Sequence, residues 1–495
     1  MKKSITLIVS LLLTALFLNC DTNKKDDKNK LLSLLLFLQP NFTGDAVWAR
    51  SVSAGTSESG IKSVSIGSDG IYAAGIINSN STYTFGTQNV TGISSNSYNP
   101  VLVKYDTAGN AIWAKSISDG PASDQESLFN CVKAGSDGIY AVGIIQSTTN
   151  YKFGTVNVAG MYSGSNVVIV KYDTNGNAIW AKSVSAGLNS SEFNSVTIGS
   201  DGIYAAGTIW GNTEYKFGDQ SVTGKWAAHK NAVIVKYDTN GNAIWAKSVT
   251  TGPNRSGFNA VSAGSDGIYA AGFIRGTVAF SFDSQSVLGT YSSFNTVLVK
   301  YDTSGNALWA KSVSAGSNDS YLNSVSVGSD GIYAAGYINN TGTYTFGTQS
   351  VNGTFSGFNA VLVKYNTSGD AVWAKSVAAG SSNSIINSVF AGSDGVYAAR
   401  QIMGTTAFTF GTKSVTGTTI EDNPVLVKYD TSGNALWAKS ISAGSAKSYF
   451  YGVVSGPMGL FAGGQISDTG TYTFGTQSVN GTAALELNSV LVKYQ

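Results

Sequence analysis

Side chains able to do covalent or acid–base chemistry are scarce in this chain. It holds one histidine, His229, two cysteines, Cys20 and Cys131, and four arginines, Arg50, Arg255, Arg275 and Arg400. One histidine and one spare cysteine build neither a nucleophile–histidine constellation nor a metal cluster. His229 therefore reads as a loop histidine. Cys131 stands in a strand slot that Ser195, Ala260, Ser324 and Ser388 fill elsewhere, so it reads as a small packing residue. Carboxylates are the remaining catalytic currency. Paired Asp or Glu residues from distant segments can hydrolyse a glycoside and leave no mark in a sequence. No cofactor is expected.

Cys20 has a different chemistry. Lys2 and Lys3 precede an apolar run from Ile5 to Leu18, which ends at Leu16-Phe17-Leu18-Asn19-Cys20. A run this short reads as a secretory leader, not a spanning helix. Its end resembles a bacterial lipobox of the looser, spirochaetal type, with Asn19 and Phe17 departing from the usual small residues. The resemblance implies cleavage after residue 19 and acylation of the Cys20 thiol. Two or more acyl chains hold a protein stably on a membrane. Asp21 to Lys30 is a charged tether, and Leu31 to Leu38 is apolar but too short to span.

The composition excludes other classes. Charged residues are 12 % of the chain, hydrophobic residues 42 %, and glycine numbers 58 among 495 residues. Many short strands joined by tight turns fit this mix. The net charge is +2, and loss of Lys2 and Lys3 with the leader brings it near zero. Without a basic stripe, nucleic-acid binding has no electrostatic support.

The elements that position these residues come from repetition. Trp-Ala-(Lys/Arg)-Ser begins at Trp48, Trp113, Trp180, Trp245, Trp309, Trp373 and Trp437. Val-(Leu/Ile)-Val-Lys-Tyr ends at Tyr105, Tyr172, Tyr237, Tyr301, Tyr365, Tyr429 and Tyr494. Leu322 to Val377 reads as one unit. It has a strand, a Ser-Asp-Gly turn, a second strand, an inserted hairpin within Thr343–Gly353, a third strand, an Asn-Thr-Ser-Gly-Asp turn and a fourth strand. Four antiparallel strands make a propeller blade. The chain opens on a fourth strand at Gly44–Arg50 with no third before it. It closes on a third strand, Val490–Tyr494, with no fourth after it. The two orphans complete one blade. The fold is all-β: a seven-bladed β-propeller over 44–495, closed by its N-terminal strand, after a leader at 1–19 and a tether at 20–43.

Ser-Asp-Gly-Ile-Tyr-Ala-Ala-Gly followed by Val-Leu-Val-Lys-Tyr-Asp-Thr-Ser-Gly-Asn-Ala-Leu-Trp-Ala-Lys resembles the SBBP family of β-propeller repeats. The likeness spans nearly everything after Phe42. It implies architecture and an extracytoplasmic setting, and no particular chemistry. The units here are longer because of the inserted hairpin.

Residues common to all units are ascribed to the fold: the tryptophans to packing, and Asp69, Asp137, Asp201, Asp266, Asp330 and Asp394 to Asx-type turns. Departures carry more information. The third unit bears Trp210 and the run Lys225-Trp226-Ala227-Ala228-His229-Lys230 on either side of its inserted hairpin. Arg400 replaces a glycine, and Pro457-Met458 replace Ser-Asp. Variable connections share one face of a propeller, and function concentrates in variable loops on a rigid frame. The expectation is a monomeric, lipid-anchored scaffold of the cell envelope, on the outer membrane or cell surface. It would be non-catalytic and would bind a glycan or protein through Trp210, Trp226 and His229. A carbohydrate-active envelope enzyme using carboxylates from different blades is the alternative.

Overall fold

The computed structural model describes residues 41–121 and 124–495. The leader, Cys20, the tether and Leu31–Leu38 lie outside the described residues. Among the described residues every element is a strand. Each repeat folds into four antiparallel strands, A to D from the centre outward. In blade five these are Ser320–Gly328, Gly331–Asn339, Phe358–Tyr365 and Ala371–Ala379. Strands B and C lie between neighbouring blades and are apolar on both faces. Val361, Leu362 and Val363 are fully buried, as a run without alternation requires. Strand A faces a central channel and strand D faces outward.

The blades span 59–115, 127–182, 191–248, 256–312, 320–379 and 384–439, with the seventh shared between 448–494 and 46–51. In the seventh blade Ala46–Ser51 pairs antiparallel with Leu487–Tyr494, placing Trp48 opposite Lys493 and Arg50 opposite Leu491. Gly44 N–H donates to the Gln495 carbonyl at 2.7 Å, and Gln495 N–H returns a bond to Asp45 at 2.9 Å. The expected closure is present: the N-terminal strand takes the strand D position of blade seven, outside Leu487–Tyr494.

The inserted hairpin fastens successive blades together. In blade six its first strand, Ala407–Phe410, pairs with the end of strand D of blade five, Val377 opposite Phe410. Elsewhere a single bridge does the same, as in Ala54 with Thr84 and Ala186 with Lys216.

The short-turn face is a repeated bonding pattern. In blade three Lys236 Nζ donates to Asp201 Oδ2 at 2.5 Å and to the Thr303 carbonyl of blade four at 2.9 Å. Tyr204 OH donates to the same carboxylate at 2.7 Å, and its ring lies 5.5 Å beneath the ammonium. Trp245 Nε1, on strand D, also donates to the Thr303 carbonyl. Burial pushes the Asp201 carboxyl up, but the Lys236 and Tyr204 hydrogen bonds outweigh it and hold the group below its ordinary value. The Ser-Asp-Gly aspartate is thus the centre of a Lys–Asp–Tyr set tied to the next blade, a larger role than the turn closure expected for it. Turn closure belongs to the other aspartate. Asp238 Oδ1 accepts the Asn240 and Asn242 amides at 2.9 and 2.8 Å around Gly241, whose φ of +82° suits glycine.

The seventh blade departs in a concerted way. Met458 takes the aspartate position and Phe461 the tyrosine position, so among the described residues Lys493 donates only to the Thr107 carbonyl, over the Phe461 ring. Its chain break also removes the turn threonine, and Trp437 Nε1 donates to the Phe42 carbonyl instead, at 2.9 Å.

Candidate functional site on the loop face

Strand A begins at the loop face and runs to the Ser-Asp-Gly turn. Each A strand carries a bulge near its start, where one extra residue interrupts the pairing with strand B. A bulge re-aims a side chain, and here the extra residue faces the channel. The seven are Lys62, Asn130, Asn194, Asn259, Asn323, Asn387 and Tyr451. The asparagines form a belt between blades. Nδ2 of Asn130, Asn194, Asn259 and Asn323 donates to the main-chain carbonyls of Phe193, Phe258, Leu322 and Ile386, at 2.8–3.0 Å. Below them Ser195 and Ser324 accept the amides of Val261 and Val389. Cys131 sits in this second ring, its Sγ 3.7 Å from Ser63 Oγ. The channel encloses a cavity of about 400 Å³.

Around the loop-face mouth the blades no longer repeat. Just ahead of the bulge, facing pairs on strands A and B read Gly60–Ile76, Leu128–Ile144, Glu192–Thr208, Gly257–Phe273, Tyr321–Tyr337, Ile385–Gln401 and Tyr449–Gln465. Blades four and five make an aromatic arc. Phe273 stacks on Tyr321 at 4.7 Å, Tyr321 on Tyr337 at 5.6 Å, and Phe358 meets Tyr337 edge-on at 4.7 Å. The Arg255 and Arg275 guanidiniums lie 5.7 and 5.8 Å from the Phe294 ring. Blades one to three are acidic. Burial lowers the Lys62 ammonium pKa, and the carboxylates of Glu126, Glu58 and Glu192 oppose that shift. Burial raises the Glu126 carboxyl, with Lys62 pulling it back and Glu192 pushing it further up.

Arg400 belongs to the same rim. Its position is glycine in the other blades because the A-strand carbonyl comes close there: a Cβ at Gly207 would fall 1.9 Å from the Glu192 oxygen. The Arg400 guanidinium lies 4.6 Å from the Tyr451 ring and 5.1 Å from that of Tyr449, across the boundary into blade seven. Its Nε donates to Gln401, and Gln401 in turn donates to Asp422.

The expected trio is brought together. Trp210 ends strand B of blade three, Gly202–Trp210, while Trp226 and His229 lie between the inserted hairpin and strand C, Lys230–Tyr237. The Trp210 and His229 rings meet edge-on at 5.7 Å, and Trp226 stacks on His229 at 6.4 Å. All three are half-buried. Among the described residues Trp226 Nε1 and His229 Nδ1 are buried without a hydrogen-bond partner. The loop is shaped by Asn231, fully buried, which accepts the Lys225 and Trp226 amides and donates to the Gly211, Trp226 and His229 carbonyls. Asn99, Asn166, Asn295, Asn359, Asn423 and Asn488 are the equivalent residues, each fully buried.

Sequence reasoning passed over this asparagine, the bulge belt and the aromatic arc. The signal for the first two was recurrence at a fixed offset from two named strings. The third is visible only where aligned repeats cease to agree. Among the described residues no group of three or more His, Cys, Asp or Glu is placed to hold a metal. No protein-family model matches the chain, and no curated protein matches it.

Proposed function

We propose that this chain is a lipid-anchored, extracytoplasmic binding scaffold, held to the cell envelope through Cys20, that engages a glycan or protein ligand with its loop face. The observation that carries the reading is the segregation of variation. The Lys–Asp–Tyr set of the turn face recurs in six blades, while the facing A–B pairs at the loop-face mouth differ in every blade and gather aromatics and charges around a cavity. Large rings supply contact area at low entropic cost. The half-buried Trp210, Trp226 and His229 rings, in mutual contact, offer such area on the loop face. The test is binding of the full chain to glycan and host-protein arrays. A ligand should appear whose binding Trp226→Ala weakens at least tenfold with the fold intact. Binding indifferent to Trp210, Trp226 and His229 substitutions removes the trio from the site. Anchoring is tested separately by mass spectrometry of residue 20, where an unmodified thiol refutes it.

A second reading, a carbohydrate-active enzyme using carboxylates from different blades, is favoured by one observation. Glu58, Glu126 and Glu192 come from three blades and act on the same lysine, and burial raises the Glu126 carboxyl as a general acid requires. Glycoside turnover abolished by Glu126→Gln would establish it.

A further inference from the structure

The channel wall carries two cations. Lys62 and Lys133 both line the cavity, on the adjacent A strands of blades one and two. Lys62 Nζ reaches the Asn130 oxygen at 3.4 Å and shares the field of three carboxylates. Lys133 has no such company. Among the described residues its ammonium forms no ion pair or hydrogen bond, and burial lowers its pKa with only the Cys131 thiol opposing. Lys133 is half-buried on the channel wall; an ammonium partly stripped of water and without a counter-charge is costly, and an anion in the cavity would relieve that cost.

The wall continues neutral and polar in blade three, next to Lys133, and in blade five across the ring. Asn194 and Asn323 have committed Nδ2 to the next blade, so they offer the cavity an amide oxygen. Ser195 and Ser324 accept main-chain amides through Oγ, which leaves their hydroxyl protons to donate. A ligand matching both parts of the wall has an anionic end and several hydroxyls. The cavity volume of about 400 Å³ lies in the range of small-molecule sites and admits a ligand larger than a simple oxyanion.

We infer that the central channel is a binding site for a hydroxy-carboxylate of monosaccharide size, its carboxylate drawn to Lys133 and Lys62 and its hydroxyls to the asparagine and serine wall. This site is separate from the Trp210–Trp226–His229 cluster and stands or falls without it.

The test is calorimetric titration of the full chain in detergent with glucuronate, glucose and inorganic phosphate. Glucuronate should bind once per chain and more tightly than either of the others. Lys133→Met should weaken it about tenfold or more, the loss expected for a charge-assisted hydrogen bond. Lys62→Met should weaken it less, and Trp226→Ala not at all. Glucuronate should also slow alkylation of Cys131, which lies on the same wall. Lys133→Met should melt no lower than the parent, since it removes an unpaired charge and keeps the stem. Glucose or phosphate binding as tightly as glucuronate overturns the proposal. So does glucuronate affinity unchanged in Lys133→Met, or a lower melting point of that variant, which would show the ammonium already satisfied within the fold.

Discussion

The two faces of the ring are built from the same strands and differ in what they hold constant. On the turn face the Lys236–Asp201–Tyr204 set recurs as Lys104–Asp69–Tyr72, Lys171–Asp137–Tyr140, Lys300–Asp266–Tyr269, Lys364–Asp330–Tyr333 and Lys428–Asp394–Tyr397. Lys104, Lys171, Lys236, Lys300 and Lys364 each also donate to a turn carbonyl of the following blade. On the loop face the same strands, a few residues away, carry glycine, leucine, glutamate or tyrosine at one position. A ring closes only if every blade is turned by nearly the same angle, so the bonds that set the angle repeat. Side chains that do not set it are free to specialise.

The contrast makes graded predictions. The largest concerns the inter-blade tryptophans. Trp245 is 8 % exposed, packs on Tyr204 and spans to blade four. Trp245→Ala should cost about 3–5 kcal/mol in thermal or denaturant unfolding. Next is Asp201→Asn, which leaves the Lys236 ammonium without its counter-charge. The lysine is 9 % exposed and the aspartate 35 %, so solvent screening reduces the expected loss to about 1–2 kcal/mol.

Acid should act on the same face. The carboxyls of Asp69, Asp137, Asp201 and Asp266 are pushed up by burial but pulled further down by their lysine and tyrosine partners, so the folded values lie below the ordinary one. Depressed carboxylates contribute stability that is fully present above the unfolded pKa of about 4 and is lost as pH falls through the folded value. Melting temperature should be steady from neutral pH down to about 4 and then fall. The paired variant Asp201→Asn should lose part of that acid dependence.

Blade seven offers a smaller effect of opposite sign. Burial lowers the Lys493 ammonium pKa, and Asp106 only partly compensates. Met458→Asp with Phe461→Tyr restores the missing partners and should stabilise the ring by up to about 1 kcal/mol, read as a raised melting temperature. The smallest expected change in stability is at the loop face. Trp226→Ala removes a half-buried ring whose N–H has no partner among the described residues, and should shift stability by about 0.5 kcal/mol or less while altering binding.

Much of the frame is legible in the sequence because it is written seven times. The strands, both turns and the split blade follow from the Trp-Ala-Lys-Ser and Val-Lys-Tyr strings and the orphan strands at either end. The role of Asp201 was not legible, because Lys236 lies 35 residues away and the shared carbonyl belongs to the next blade. A local reading assigns such an aspartate to its own turn. The pairing of Trp210 and Trp226 around His229 was anticipated as a shared neighbourhood, and two strands bring it about. The aromatic arc and the two channel lysines were not anticipated. The arc reaches across a blade boundary where Phe273 meets Tyr321, and Lys62 is turned inward by its bulge to reach Asn130 of the next blade. In the sequence Arg400 and Pro457-Met458 are departures with no evident partner, and Phe461 does not stand out. In three dimensions Arg400 meets two tyrosines of the following blade, and the Met458–Phe461 pair removes a bonding set as a unit.

The most direct test of the division between faces is a crossed measurement on the array-identified ligand. Asp201→Asn and Tyr204→Phe represent the turn face, and Trp226→Ala and Tyr321→Ala the loop face, each read for melting temperature and for affinity well below melting. The account predicts that the first pair lowers the melting temperature and leaves affinity unchanged. It predicts that the second pair includes the largest loss of affinity. Affinity lost through Asp201 or Tyr204 in a folded ring, with both loop-face variants binding normally, would contradict it.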